Sequence, residues 1–510
     1  MSLSSALSIS GTGINAIESQ LALISQNVAN ASTPNYSSEV GATADVTAGG
    51  QGMGVVQLPS SRTLDSSLQA SVLTQNATVA AAQVSANALS AINATQGAPG
   101  SGDDLASLLG DVTNAFTTLA DNPPSSADQQ SVVTAAQNLT QGINTLSQTY
   151  QAQRQTAQDT ITTDITSINQ TLSNIGALSD QIINLKSLGQ STADLENQRD
   201  AAVATLSSLV SVKTLAQPDG DLTVVTSAGV TLPTHTATPL ATHDATLGPA
   251  ATYPGGIPAI TLNGVDITSQ LTNSGGGLGA NLTLRDQTLP TYQGELDEFS
   301  NQLSNRFAAQ GLTLFTDPAG NLPASTGPNT QSGYVGYAGE ITVNPAVAAD
   351  PSMVRDGTND VAGSATGASA FTVNPAGGPA SFTTLINRVL TYAVGGQAQQ
   401  GVPQPTVPAT GLGANGNLNA SYSGQTDLTN LAAALVAAQS NDSAQATTQS
   451  TTEAAVQTTM SAKLSSEDGV NMDAQLAQMT VLQNAYGANA RIIAAVQSMF
   501  SSLLTAVTPG

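Results

Sequence analysis

The sequence predicts a mainly α-helical chain with β-rich insertions. Coiled-coil helices stand at both termini, a helical rod domain lies within, and one or more β-rich domains lie outermost. Three observations carry this. Apolar residues at both ends climb a heptad ladder, a long central stretch does the same, and the runs between turn Gly/Pro-rich with alternating apolar residues.

At the N-terminus Leu3, Leu7, Ile14, Ile17, Leu21, Ile24 and Val28 follow spacings of four and three. At the C-terminus Met472, Leu476, Met479, Tyr486, Ile493, Phe500, Leu504 and Val507 follow the same ladder, with Gln483, Ala490 and Gln497 on the remaining steps. Seven such side chains stabilise a helix by about 10–20 kcal/mol when fully buried. Ordering the backbone costs about 1–2 kcal/mol per residue. A lone terminal helix is therefore marginal. These helices are expected to order by pairing with each other and with neighbouring copies, which is the logic of a polymer subunit.

The chain then turns polar and Gly-rich to about Pro59, with two short extended segments around Val40–Val46 and Val55–Gln57. Helix is expected from about Ser61 to Ala94, broken by Gly97-Ala98-Pro99-Gly100. Asp103 or Asp104 can cap the next helix through Leu119. The longest helix is expected over 126–188, where Ile161, Ile165, Ile168, Leu172 and Ile175 repeat four-three-four-three. A shorter one follows over Thr192–Leu209. From Val210 the period becomes two, with strand signals at Leu222, Val224 and Thr226 and a strand pair about Asn263-Gly264. Helix returns over 285–310. Residues 312–425 read as Gly/Pro-rich with short strands such as Ala338–Val343 and Ala370–Val373. From about Thr426 the pattern is helical, interrupted near Ser465–Gly469. The expected domains are 1–36 with 470–510 (terminal coiled coil), 37–210 with 280–311 and 426–469 (rod), and 211–279 with 312–425 (β-rich, outer).

Composition narrows the function. At 510 residues the chain exceeds a single core. Only 9% of residues are charged against 40% apolar, which argues against charge-driven disorder. The net charge of −23, with eleven scattered Lys and Arg, excludes a nucleic-acid partner, which needs a basic stripe. The acidity suits solubility and mutual repulsion of free monomers. Without cysteine there is no disulfide framework or thiol nucleophile. No apolar run approaches the length of a membrane helix, and the first basic residue is Arg62, so a secretory signal is not expected.

Residues Asn27-Val28-Ala29-Asn30-Ala31-Ser32-Thr33-Pro34-Asn35-Tyr36 resemble the NxANxxTPGY motif of bacterial flagellar rod, hook and hook-associated proteins. Asn484-Ala485-Tyr486-Gly487-Ala488-Asn489-Ala490-Arg491 resembles the paired C-terminal motif, which singles out Asn489 and Arg491 beside Asn27, Asn30, Thr33, Pro34 and Tyr36. Asn35 replaces the usual Gly but tolerates positive φ. Ser37 and Ser38 stand where an Arg is common. The blocks Leu195-Glu196-Asn197-Gln198-Arg199-Asp200, Gly275–Ala280 leading into Leu284-Arg285-Asp286, and Ile341–Pro345 are similar to those of the FlgK family, the hook-associated proteins 1. That resemblance implies a subunit of the hook–filament junction, exported by the flagellar type III apparatus. The partners it implies are further copies in a ring, the hook protein, a second junction protein (hook-associated protein 3) and an export chaperone. A hook or rod protein, or an axial scaffold carrying a surface-binding insertion, remain the alternatives.

No catalytic, cofactor or metal residue is expected. His235 and His243 lie in a Thr/Pro/Ala loop with too few ligands for a metal. Asp219 and Asp221 flank a turn without an EF-hand series. Gly275, Gly277 and Ala280 match a dinucleotide fingerprint literally but lack a βαβ unit.

Overall fold

A computed structural model describes residues 3–236 and 239–507. Among them, eight long helices carry the architecture: α1 (Leu3–Ala29), α2 (Ser66–Gln96), α3 (Leu105–Asp121), α4 (Ser126–Ser187), α5 (Ala193–Leu209), α6 (Leu289–Ala309), α7 (Leu428–Glu467) and α8 (Met472–Val507). The molecule is mainly helical with small antiparallel sheets, as the pattern of the sequence predicts. Asp65, Asp104, Ser125 and Asp427 cap α2, α3, α4 and α7 through side-chain oxygens that accept first-turn N–H groups. Helix α2 starts five residues later than the sequence suggests, because Ser61–Arg62 pairs as a strand with Glu39–Val40.

The 62-residue α4 is the spine, about 93 Å long at 1.5 Å per residue. Its apolar stripe serves two cores. The first half, from Val132 to Ala157, packs with the end of α2, α3, α6, the start of α7 and much of 312–425. The second half, Ile161 to Ile175, packs with α5 and with residues 210–282. Arg154 and Gln158, both buried, separate the two. Arg154 donates to the carbonyls of Arg285 (2.8 Å), Gly248 (3.2 Å) and Ala251 (2.5 Å). Arg285 sits on a π-helical turn, Leu284–Thr288, donates to Gln158 Oε1 at 2.8 Å and pairs with Asp286. This polar layer is satisfied on every guanidinium nitrogen, which is what makes burial of two cations tolerable.

The β-rich stretches therefore share cores with the spine, and the cores cut across the expected domain boundaries. Strands β1 (Val212–Ala216), β2 (Leu222–Thr226) and β3 (Thr231–Leu232) form an antiparallel sheet whose Val212, Leu222, Val224 and Leu232 face the second half of α4. An earlier hairpin, Thr43–Ala48 with Gln51–Gln57, lies against α1: Val55 N–H donates to Thr12 Oγ1 at 3.3 Å. The expected strand at Ala338–Val343 is confined to Thr342–Val343, since the Ala338 N–H is taken by Asp297 (2.9 Å). Ala370–Val373 gives a single bridge, Val361 with Phe371, because Val373 N–H is captured by Asp360 (2.9 Å). Three short helices, Pro345–Ala349, Met353–Asp356 and Thr384–Arg388, were not foreseen in this stretch.

Two glycines test the packing of the spine. At Gly176 an added Cβ would come within 2.1 Å of the Thr234 carbonyl oxygen, while at Gly110 in α3 it would meet nothing within 4 Å. Gly176→Ala should lower stability by about 1–3 kcal/mol. Gly110→Ala should raise it by up to about 1 kcal/mol. Denaturant unfolding of the two variants checks both signs.

Candidate functional site

The chain ends meet as an antiparallel helical pair. Asn27 in α1 reaches Gln475 in α8, and Gly13 lies against Asn489. Between these points Ile17 and Ile24 bury against Leu482, flanked by Leu21, Val28, Met479 and Ala485. Further along α8 Val496 is buried as well.

Of the residues singled out on the ladder, Ile17 and Ile24 are buried, and Leu3, Ile14, Leu21, Val28, Met479 and Ile493 are half-buried. Leu7, Met472, Leu476, Tyr486, Phe500 and Leu504 are exposed. The side chain of Val507 lies outside the described residues. The α8 seam is thus rotated from the expected one. The steps beside Met479, Tyr486 and Ile493 are Gln475, Leu482, Asn489 and Val496, where the ladder was read through Leu476, Gln483, Ala490 and Gln497. Two polar residues on alternate steps, Gln475 and Asn489, hide this register, although Leu482 and Val496 signal it.

The rotation leaves much of α8 uncovered. Val481 (65% exposed), Ile492 (47%), Met499 and Leu503 form a second apolar stripe, about a quarter-turn from the seam. Among the described residues, fifteen of the twenty exposed large apolar ones belong to α1, α8 and the segment 40–58. Such concentration on one part of a surface marks an interaction face.

A polar neck joins this pair to the rod, and the motif residues build it. Asn27 is buried in full. Its Nδ2 donates to the Glu39 carbonyl (2.8 Å), and its Oδ1 accepts from Glu39 N–H (3.0 Å) and Tyr36 Oη (3.0 Å). Asn30 donates to the Gln26 carbonyl and accepts from Thr33 Oγ1. Pro34 stands exposed in the turn, and Asn35 takes φ +62°, the left-handed conformation for which Asn substitutes for Gly. Arg491 lies exposed on α8, away from the neck.

Beyond Tyr36 the neck grips the rod. Asn197 accepts from Ser37 N–H (3.2 Å) and donates to the Ser37 carbonyl (3.1 Å). Arg62 binds Glu196 (2.9 Å), Asp200 (2.6 Å) and Asn197 Oδ1 (3.1 Å). Asp468, between α7 and α8, accepts the Asp65 N–H, and its carbonyl takes the Ser38 N–H at 2.7 Å. Burial raises the carboxyls of Glu39 and Asp468 above the usual range. An open cleft of about 610 Å³ adjoins, walled by the motif loop and by α2, α5 and α7. Arg62 thus reaches the neck through Asn197, which holds the Ser37 backbone. The grip of the Leu195–Asp200 block on Ser37 is not legible from spacing.

Among the described residues no group of three or more His, Cys, Asp or Glu is arranged to hold a metal. His235 lies near Asp221 (3.3 Å) and Asp180 (3.5 Å), the latter widely exposed.

Comparison with known proteins agrees with this anatomy. Residues 89–322 match the model of the flagellar hook-associated protein FlgK helical domain. Over this region the chain is similar to the FlgK family. Residues 466–506, which hold α8, match the C-terminal region of the flagellar basal body rod FlgEFG proteins. Flagellar hook-associated protein 1 of Salmonella typhimurium is 28% identical over 214 residues, 41% of this chain and 38% of that protein's own length. The Escherichia coli protein of the same name is 24% identical over 442 residues, covering 78% of this chain and 80% of its own. The structure of the flagellar hook junction protein FlgK from Burkholderia pseudomallei superposes with TM-score 0.55 at 16% identity, covering 77% of this chain and 99% of that one, which shows a common fold.

Within this fold the neck depends on Asn27. Asn27→Ala strands the Glu39 N–H and carbonyl and the Tyr36 hydroxyl, at a local cost of about 2–4 kcal/mol. Limited proteolysis should then cut first within residues 30–42, with the rod helices as resistant as in the wild type.

Proposed function

We propose that this chain is a structural subunit of the flagellar hook–filament junction, placed between hook and filament and required for filament assembly. One observation carries the reading: the exposed apolar surface gathers on the helical pair formed by the two chain ends, while the rod helices present mostly polar residues. A subunit that adds to a tube needs one adhesive module and an otherwise soluble body. The proposed assembly surface is the ladder set of α1 and α8 together with Val481, Ile492, Met499 and Leu503. The expected partners are further copies of the chain in a ring, the hook protein on one side, hook-associated protein 3 on the other, and an export chaperone beforehand. The proposed place is outside the cell, after export. The relatives' names support this reading, since they are hook-associated proteins. No described helix is long and apolar enough to cross a membrane. The reading has no need of a catalytic role.

Deleting the gene tests the proposal. Bare hooks with flagellin shed into the medium, restored by the wild-type gene, are the expected outcome. Missing hooks would assign the chain to the hook or rod proper, and normal filaments would contradict a junction role. A point variant isolates the surface. Ile492→Asp should leave the melting temperature of the monomer within about 2 °C, because surface changes usually cost under about 0.5 kcal/mol. It should also abolish incorporation into purified flagella, as read by immunoblotting.

A further inference from the structure

Helix α6 carries three acidic residues that the junction reading leaves unused. Glu295, Asp297 and Glu298 are each 0% exposed. None of the ion pairs among the described residues includes them. They are held by neutral donors instead, and those donors come mainly from the irregular outer stretch. Asp297 accepts from Gly336 N–H (2.7 Å), Ala338 N–H (2.9 Å) and Gln293 Nε2 (2.9 Å). Glu298 accepts from Tyr334 Oη (2.7 Å) and Gln302 Nε2 (2.8 Å). Glu295 Oε1 accepts from Ser421 N–H and Oγ, both at 2.6 Å, and its Oε2 is buried without a partner. One turn of one helix therefore pins residues 334–338 and 421 of a stretch that has little ladder of its own.

The charged surroundings are one-sided. Tyr150 and Arg154 face this turn from α4, and Tyr292, Glu298 and Arg306 lie on α6 itself. Tyr334, Tyr337 and Tyr422 come from the outer stretch, Asp427 caps α7 and Asp442 lies on it. Arg154 is committed to three carbonyls, Arg306 to Gln302 and the Thr426 carbonyl, and Arg285 to Asp286 and Gln158. Asp442 adds a further carboxylate, bound by Tyr292 Oη at 2.7 Å. A small polar cavity of about 30 Å³, lined by Arg154, Asp286, Gln293, Asp297 and Gln331, reaches the Asp297 carboxyl and has room for a water molecule.

We propose that the acidic face of α6 is a proton-operated clasp, gripping residues 334–338 and 421 more firmly at mildly acidic than at alkaline pH. Burial without a counter-ion favours the protonated forms of Asp297 and Glu295, because desolvation penalises the charge. Burial pushes Asp297 up to about 7 against the pull of its donors and of Gln293, and raises Glu295 as well. In the unfolded chain an aspartate titrates near pH ~3.9. A folded-state value above the unfolded one means stability that is full below about pH 4 and lost as pH rises through about 7. Alkaline pH thus leaves a charge buried without a counter-ion and loosens the clasp.

The test uses the full chain, compared with Asp297→Asn and Glu295→Gln. Amide exchange at Gly336, Ala338 and Ser421 is corrected for the intrinsic pH dependence. In the wild type, protection there should fall roughly tenfold or more between pH 5.5 and 8, while amides in the second half of α4 change far less. Asp297→Asn should be less stable than the wild type at pH 5.5 and should lose most of the pH slope of its melting temperature. Should that variant fail to fold, Glu295→Gln reports the same slope through the Ser421 amide. Equal slopes in wild type and variants, or equal protection at the two pH values, would overturn the proposal.

Discussion

One side chain connects the two halves of this protein. The Asn27 amide closes the turn that follows α1, and with it the path of the chain from the helical pair to the rod. Everything beyond depends on that path. Ser37 must meet Asn197, Arg62 must meet Glu196 and Asp200, and Asp468 must receive the strand that returns. The neck is polar throughout, and the small core of the pair stands apart from the two cores of the rod. Exposed apolar surface and acidic bulk thereby lie on separate parts of one chain.

The distribution of charge follows the same division. Residues 1–62 and 468–510 hold five acidic and two basic residues, so twenty of the twenty-three net negative charges lie on the rod and outer stretches. The apolar face is nearly neutral, and the body that keeps copies apart in solution is acidic. Within the body, the spine α4 draws the β-rich stretches into its own cores. The buried layer of Arg154, Gln158 and Arg285 sets where one core ends and the next begins. Such a layer adds little net stability, since its desolvation offsets its hydrogen bonds.

Much of this was legible in the sequence. Long periodic segments show themselves, so α1, α3, α4, α5, α7 and α8 lie close to where the apolar spacing puts them. The turns at Asn263-Gly264 and Asp219-Gly220 follow from their residues. The rotated register of α8 was not legible, because the seam there uses Gln475 and Asn489, and polar residues do not announce which face they occupy. The outer stretch was legible only as irregular. Its backbone is paired with buried side chains such as Asp297 and Gln331 rather than with other strands, and such pairing leaves no period. The neck was half visible: the motif marked its residues by resemblance, but the meeting of Arg62 with Glu196 and Asp200 spans more than a hundred residues.

The central claim is that the uncovered face of the helical pair is what assembly buries. The absence of native cysteine permits a direct measurement. A chain carrying Ile492→Cys, and a second carrying Thr459→Cys on the exposed side of α7, are each exposed to a maleimide, once as monomer and once in purified flagella. The account predicts that both react as monomers and that only the α8 position becomes protected on assembly. Equal labelling of Ile492→Cys in the two states would contradict it.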